Sequence, residues 1–449
     1  MTRRFCSHWR HIAAYLVSLT LSGCATYHPH PLPAAPDLAN SPQVTVPAQQ
    51  FWLPGVPPHT VSPDGLDETT IIMLAVYNDP GLKAARLQAG VASAQLLEAG
   101  LLPDPQFGAN YATSALNYGG ALGLSEDIQA LITRGAARAS ARAAQKQVNL
   151  NILWQEWQVA ERARELFIQL RADDQLSGVL NANRDLLSSR YQHDQAAMQR
   201  GDLTLSTVSA DLTVLSDADT SLRQLQTEIN LTRHELNQLL GLEPDAQLHL
   251  IGPTKINPIS EREFRLDVAA LPHRRADLLA LQAGYQSQEE NLRRAILAQF
   301  PALSVGVDLE RDPVEGVNAF GPQVNLTLPI FNRNRGQIAI QRATREALRQ
   351  TYQAQLDASQ SQADQVWKAA QIMSAQLRDL NAQLPELKRA ASAAEQSLRQ
   401  RNLDAGLYVS AESGLLAKQA EAIRLRASLD KARSALRTLL GLSFGTPRL

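Results

Sequence analysis

Residues 106–243 contain no proline, and between Ala136 and Gln199 the only glycine is Gly178. The residues in this stretch are mostly Ala, Leu, Gln, Arg and Glu, the better helix formers. An uninterrupted helix over 136–199 would be about 96 Å long at 1.5 Å per residue, longer than a globular domain is wide. Leu150, Leu153, Trp157, Ala160, Phe167 and Leu170 are spaced as a coiled-coil seam. Gly201 interrupts the run within Arg200-Gly201-Asp202-Leu203. A second helix follows with the seam Leu222, Leu225, Ile229, Thr232, Leu236 and Leu239, closed by Gly241 and Pro244. Residues 136–241 therefore predict a very long helical hairpin.

The pattern then recurs. Gly336 opens a stretch without glycine until Gly406, and Asn402 to Leu407 predicts a second turn. Leu425, Leu429, Ala432, Leu436 and Leu439 each lie 200 residues after a seam position of the first half, and Leu439-Leu440-Gly441-Leu442 repeats Leu239-Leu240-Gly241-Leu242. Upstream, Leu87-Gln88-Ala89-Gly90 recurs as Leu281-Gln282-Ala283-Gly284, 194 residues on. Pro385 falls deep in the second long helix and predicts a kink or a short break there. The expected organisation is a first repeat over 65–242, a linker over 243–265 and a second repeat over 266–442, whose helical hairpin occupies 336–441. A tail over 443–449 follows.

Each repeat also carries a β-hairpin ahead of its long helix, expected at 105–132 and 301–331. Leu303, Val305, Val307 and Leu309 alternate with Ser304, Gly306, Asp308 and Glu310. Val324, Leu326, Leu328 and Ile330 alternate with polar neighbours. In the first half Phe107, Ala109 and Tyr111 make one strand; Leu122, Leu124 and Ile128 make the other, with Glu126 interrupting the apolar face. Strands of roughly 9–11 residues, apolar outward and polar inward, are the pattern of a transmembrane barrel. Four strands cannot close one, and an open edge in lipid is costly. Several chains must then pool their strands, eight from two chains or twelve from three. An even number of strands in each hairpin brings the chain back to the side it entered from, so all the helices hang on one face, the periplasmic one.

The N-terminus explains how such a chain reaches an outer membrane. Arg3, Arg4 and Arg10 precede a short apolar run, Ile12 to Leu19, as in a secretory signal peptide over 1–23. Leu21-Ser22-Gly23-Cys24 resembles a bacterial lipobox, which makes Cys24 the expected lipid-attachment residue. By resemblance to sorted lipoproteins, Ala25 after it favours the outer membrane. Ten of the 23 prolines lie between Ala25 and Pro63, so 24–64 predicts an extended tether. His28 and His30 read as solvated residues of that tether. With only Cys6 and Cys24 in the chain, a disulfide framework and a cysteine zinc site are excluded. A formal net charge of −1 argues against nucleic acid as the main partner. His193, His234, His249 and His273 stand singly, without metal-ligand spacing. No nucleophile–base pair or phosphate-binding loop is present, and no enzymatic activity is expected.

The duplicated layout, the junction Leu328-Pro329-Ile330-Phe331-Asn332-Arg333-Asn334-Arg335-Gly336 and the two Leu-Leu-Gly-Leu endings resemble the TolC-type outer-membrane factors of bacterial efflux pumps. The resemblance spans roughly residues 65–442, and the Pro-Ile-Phe-Asn-Arg-Asn-Arg-Gly form is most similar to the heavy-metal (cobalt-zinc-cadmium type) branch. It implies a mainly α protein with a small transmembrane β part: a homotrimer with twelve pooled strands and a twelve-helix periplasmic tunnel. It also implies docking to a periplasmic adaptor protein and an inner-membrane resistance-nodulation-division transporter, and passive conduction without a cofactor beyond the lipid on Cys24. The expected cargo is heavy-metal cations; drugs are the alternative cargo, and a non-porous lipid-anchored coiled-coil scaffold the alternative outside the family. The adaptor-docking tips would be Arg200, Gly201, Asp202, Leu203 and Thr204, with Asp404, Ala405, Gly406 and Leu407. Family members carry aspartates just past the second tip. Here Val409, Ser410, Ala411, Glu412 and Ser413 stand there, leaving Asp211, Asp404 and Glu412 as the candidate pore constriction.

Overall fold

The computed structural model describes residues 27–41, 65–113, 118–254, 256–312 and 314–442. The expected signal peptide, Cys24 with residues 25–26 and 42–64 of the expected tether, and the tail 443–449 lie outside the described residues. Two compact units divide at Leu38 and Ala39. In the first, residues 27–38 are exposed chain without helix or strand.

Among the described residues the second unit holds twelve elements. They are α1 (Glu68–Asn78), α2 (Pro80–Glu98), β1 (Gln106–Thr113), β2 (Tyr118–Asp127), α3 (Ile128–Gln199), α4 (Leu205–Leu239), α5 (Glu261–Arg274), α6 (Ala276–Leu297), β3 (Ala302–Arg311), β4 (Asn318–Thr327), α7 (Arg335–Arg399) and α8 (Ala405–Leu439). Six elements repeat in the same order, so α1, α2, α3 and α4 have α5, α6, α7 and α8 as counterparts. No helix among the described residues is long and apolar enough to cross a membrane.

The core lies where the expected seams meet. Trp157, Ala160, Ala163 and Phe167 of α3 pack with Leu236 and Leu240 at the end of α4 and with Ile71, Leu74 and Ala75 of α1. In the second half Leu436 and Leu440 of α8 pack with Phe264, Leu271, Leu278 and Ala363, and Trp367 stacks on Phe264 at 4.7 Å between ring centroids. Of residues 243–265, expected as a linker, those described up to Ser260 are a docked loop, and Glu261 to Arg265 already belong to α5, which Ser260 caps. Asn237 Nδ2 donates to the carbonyls of Pro244 and Ala246, both at 2.9 Å. The loop also holds N-terminal chain. Ala39 N–H donates to Gly241 O at 3.1 Å and Glu243 N–H to Ala39 O at 3.0 Å, while Leu66 bridges Leu250.

The four strands form one antiparallel sheet in the order β1-β2-β3-β4, leaving β1 and β4 as its edges. The register aligns the apolar positions in rows across it: Phe107, Leu124, Val307 and Pro322, then Ala109, Leu122, Leu309 and Phe320. The opposite face carries Gln106, Ser125, Gly306 and Gln323, then Gly108, Gly123, Asp308 and Gly321. Proline lacks an N–H to donate, and Pro322 sits on an edge strand, where that is tolerated.

Several boundaries differ from the sequence expectation, and so does an expected break. Ile128 opens α3 instead of ending β2, because the Asp127 carboxylate caps the helix, accepting from Gln129 N–H at 2.8 Å and Ala130 N–H at 3.2 Å. The long helix thus begins at 128, not 136. Leu328 and Ile330 lie beyond β4, because the chain folds back there with Ile330 N–H donating to Leu328 O at 2.9 Å around Pro329. α7 runs through Pro385 unbroken; a proline forfeits one helical hydrogen bond, and α8 packs along this helix.

Candidate functional site

Both helical hairpins turn with the same local chemistry. At the first tip Gly201 N–H donates to Met198 O and Asp202 N–H to Ala197 O, both at 2.9 Å. This is a Schellman ending, whose pivot residue must be left-handed; Gly201 has φ +85°. Arg200 Nε reaches Asp202 Oδ2 at 3.1 Å, Leu203 is half-buried, and Thr204 caps α4 by accepting from Thr207 N–H. At the second tip Arg401 N–H donates to Leu398 O at 2.9 Å and Asn402 N–H to Ser397 O at 2.8 Å. The pivot there is Arg401, at φ +62°. The second turn is therefore 400–404, not Asn402–Leu407. Asp404 is the N-cap of α8, accepting from Gly406 N–H at 2.7 Å, and Ala405, Gly406 and Leu407 form the first turn of that helix.

The three acidic residues considered for a constriction have separate environments. Asp211 is buried against Arg190, with Oδ1 2.9 Å from Nη2. Burial and the nearby Asp194 carboxyl raise its pKa, against the pull of Arg190. Asp404 is exposed and engaged in capping, and Glu412 is half-buried on α8. No hydrogen bond or ion pair joins the three among the described residues. Arg190 is a tip residue that the sequence did not single out. It reaches from α3 to Asp194 and to Asp211 on α4, and a Cβ built on Gly406 of α8 would lie 3.5 Å from its guanidinium nitrogens. The tighter contact is with the capping carboxylate: the same Cβ would lie 2.7 Å from Asp404 Oδ1. Among the described residues no group of three His, Cys, Asp or Glu side chains is placed to hold a metal ion.

Higher on the helices, polar side chains link three elements. Gln169 Nε2 donates to Asp173 Oδ1 at 2.7 Å and to Glu228 of α4 at 3.1 Å, while Lys431 of α8 donates to Gln169 Oε1. Asp173 is buried, and burial pushes its pKa up to about 6.

The packing of the two halves is unequal. α3 packs against both distal helices, α4 and α8, and against both proximal helices, α2 and α6. Its counterpart α7 packs against α8 and α6 of its own half, with α5 at the end, and among the described residues does not pack along α4 or α2 of the first half. Exposed apolar residues mark the unused faces: Leu87 and Val91 on α2, Leu212 and Leu231 on α4, Ile340 and Ile372 on α7.

No protein-family model matches the chain, and no curated protein matches its sequence. Solved structures do match its fold. The outer membrane protein VceC of Vibrio cholerae superposes with a TM-score of 0.68 at 18% identity, covering 84% of this chain and 96% of that one. CusC, solved in connection with transmembrane channel formation, gives 0.67 at 15%, covering 94% and 100%. The outer-membrane channel OprN gives 0.70 at 15%, covering 93% and 98%. The chain therefore has the fold of these outer-membrane channel proteins.

Proposed function

We propose that this chain is the outer-membrane exit duct of a tripartite efflux assembly, conducting substrate passively and working as a homotrimer. One observation carries the reading: the unused positions of one chain are complementary. α7 lacks an α4 and an α2 beside it; α4 and α2 lack an α7; β4 and β1 are open edges. A second copy set head to tail fills all of these at once, and such a heterologous contact builds a ring when the rotation closes. Three copies supply twelve strands with one apolar face outward. The helices lie on the periplasmic side, and Cys24 carries the lipid.

In this assembly the tips, Arg200 to Thr204 and Asp404 to Leu407, dock a periplasmic adaptor that links the duct to a resistance-nodulation-division transporter. Asp404 and Glu412 remain as constriction residues; Asp211, paired with Arg190, contributes little charge to a pore. Heavy-metal cations are the proposed cargo, on the resemblance of the 329–336 motif, with selectivity residing in the pump. Organic compounds are the second reading, and growth of a deletion strain across metals and drugs separates the two. Selective metal sensitivity supports the first; lost drug tolerance with unchanged metal tolerance overturns it.

The ring itself is tested by pairing a cysteine at Asn110 of β1 with one at Asn325 of β4 in the membrane-inserted protein. A ladder of covalent oligomers ending at the trimer is expected; monomers alone refute the ring. Cross-linkers at Thr204 and Leu407 should capture the adaptor, and Cys24→Ser should abolish labelling by palmitate.

A further inference from the structure

The two halves pass from sheet to long helix differently. In the first, β2 ends at Asp127 and α3 begins at Ile128 with nothing between. In the second, β4 ends at Thr327 and α7 begins at Arg335, so residues 328–334 are an extra loop that the topology does not require. This loop is held in a strained shape. Arg333 and Asn334 have φ of +46° and +54°, a left-handed pair without glycine. Asn334 Nδ2 donates to Ala295 O at 2.7 Å, and Ile338, one turn on, packs with Leu292 and Ala295. The loop is thereby fastened to the end of α6.

The loop presents a wholly exposed aromatic side chain. Phe331 is 95% exposed, with Leu328 and Ile330 exposed beside it. Arg333 and Arg335 flank it; both are exposed, and neither side chain has an ion pair or hydrogen bond among the described residues. The beginnings of β1 and β3 and the ends of β2 and β4 share one end of the antiparallel sheet. Phe300, in the turn before β3, is exposed at that same end. Apolar side chains interleaved with unpaired cations, continuous with the apolar face of a sheet, match a membrane surface: an acyl boundary beneath a layer of phosphates.

We propose that loop 328–334 is a membrane-surface anchor. Phe331, Ile330 and Leu328 enter the periplasmic leaflet at the boundary of headgroup and acyl chain, and Arg333 and Arg335 bind the phosphate of anionic phospholipid headgroups through charge-assisted hydrogen bonds. The anchor rests on the reading that the sheet lies in the bilayer. It fixes the height of the helical body at the strand-to-helix junction where the chain has length to spare.

The test uses full-length protein in vesicles of phosphatidylcholine with phosphatidylglycerol. A photo-cross-linking phenylalanine analogue is placed at Phe331, and separately at Val324 on the apolar face of the sheet. Phospholipid adducts at both positions are expected. Lipid adducts at Val324 with none at Phe331, or capture of a second copy at Phe331, overturn the anchor and leave the membrane reading intact. Failure at Val324 as well would bring down the membrane reading. In a second measurement, Arg333→Gln with Arg335→Gln is compared with the parent by native mass spectrometry. At least a threefold loss of retained phosphatidylglycerol, with phosphatidylcholine unchanged, is expected; equal retention refutes the headgroup assignment.

Discussion

Four helix ends in this chain turn through the same Schellman geometry, and their pivots are Gly201, Gly241, Gly441 and Arg401. A side chain in the left-handed region costs roughly 1–2 kcal/mol that glycine does not incur. Gly201→Ala should therefore loosen the first tip by about 1 kcal/mol, read as roughly fivefold faster amide exchange at Asp202. Arg401→Gly should leave exchange at Asn402 unchanged or slow it; faster exchange there would show that the arginine side chain itself holds the tip. Asp173 gives a second residue-level expectation. Its folded pKa, about 6, lies above the ordinary 3.8 of an aspartate. The folded state therefore binds the proton more tightly than the unfolded state. The resulting stability is full below the unfolded value and is lost as pH rises through about 6. Thermal unfolding should show a decline between about pH 4 and pH 6 worth about 3 kcal/mol, and Asp173→Asn should flatten it. An unaltered pH profile in that variant would assign the decline to another group.

At the scale of elements, the same bracket is built twice with different chemistry. Arg86 of α2 donates to Val76 O at 2.6 Å and to Glu156 of α3 at 2.8 Å. In the second half Gln282 of α6 donates to Pro272 O at 2.8 Å and to Tyr352 Oη of α7 at 3.1 Å. All three positions are shifted by 196 residues, so the recurrence of Leu-Gln-Ala-Gly at 194 is a likeness of letters two residues out of structural register. Gly284 lies against the Gln147 side chain, whereas Gly90 has open space around it. Glu156 is fully buried, and burial raises its pKa against the pull of Arg86. Arg86→Ala strands that carboxylate and should cost about 3–5 kcal/mol; Gln282→Ala removes a neutral bond and should cost about 1 kcal/mol. Equal losses in denaturant unfolding would refute this ranking. The long helices were legible because their seams repeat over many turns, and the hairpins because alternation exposes a strand. Single-residue chemistry was less legible. The Asp127 cap shortens β2, Arg401 ahead of the expected turn serves as its pivot, and Arg190 pairs with the buried Asp211; hydrophobic periodicity registers none of these.

For the whole molecule, the consequence of an open sheet is that no single copy can complete it. In the proposed ring each copy contributes one β4 edge and one β1 edge, so a defect in one copy disables a closure the others depend on. Neighbouring residues of a strand point their N–H groups to opposite sides. A proline at Val324 or at Asn325 therefore removes, in one of the two, only a donor on the open side of β4, and Pro322 shows that this edge accepts the ring. Co-expressed in equal amounts with the parent chain, that variant should act dominantly. If a ring holds three copies and tolerates no defective one, about one-eighth of rings remain intact; two copies would leave about one-quarter. The yield of heat-resistant oligomers, followed against the ratio of the two chains, thus counts the copies without a structure of the assembly. A yield falling linearly, to one-half at equal expression, would mean that each chain completes its membrane part alone, and the proposed ring would be wrong.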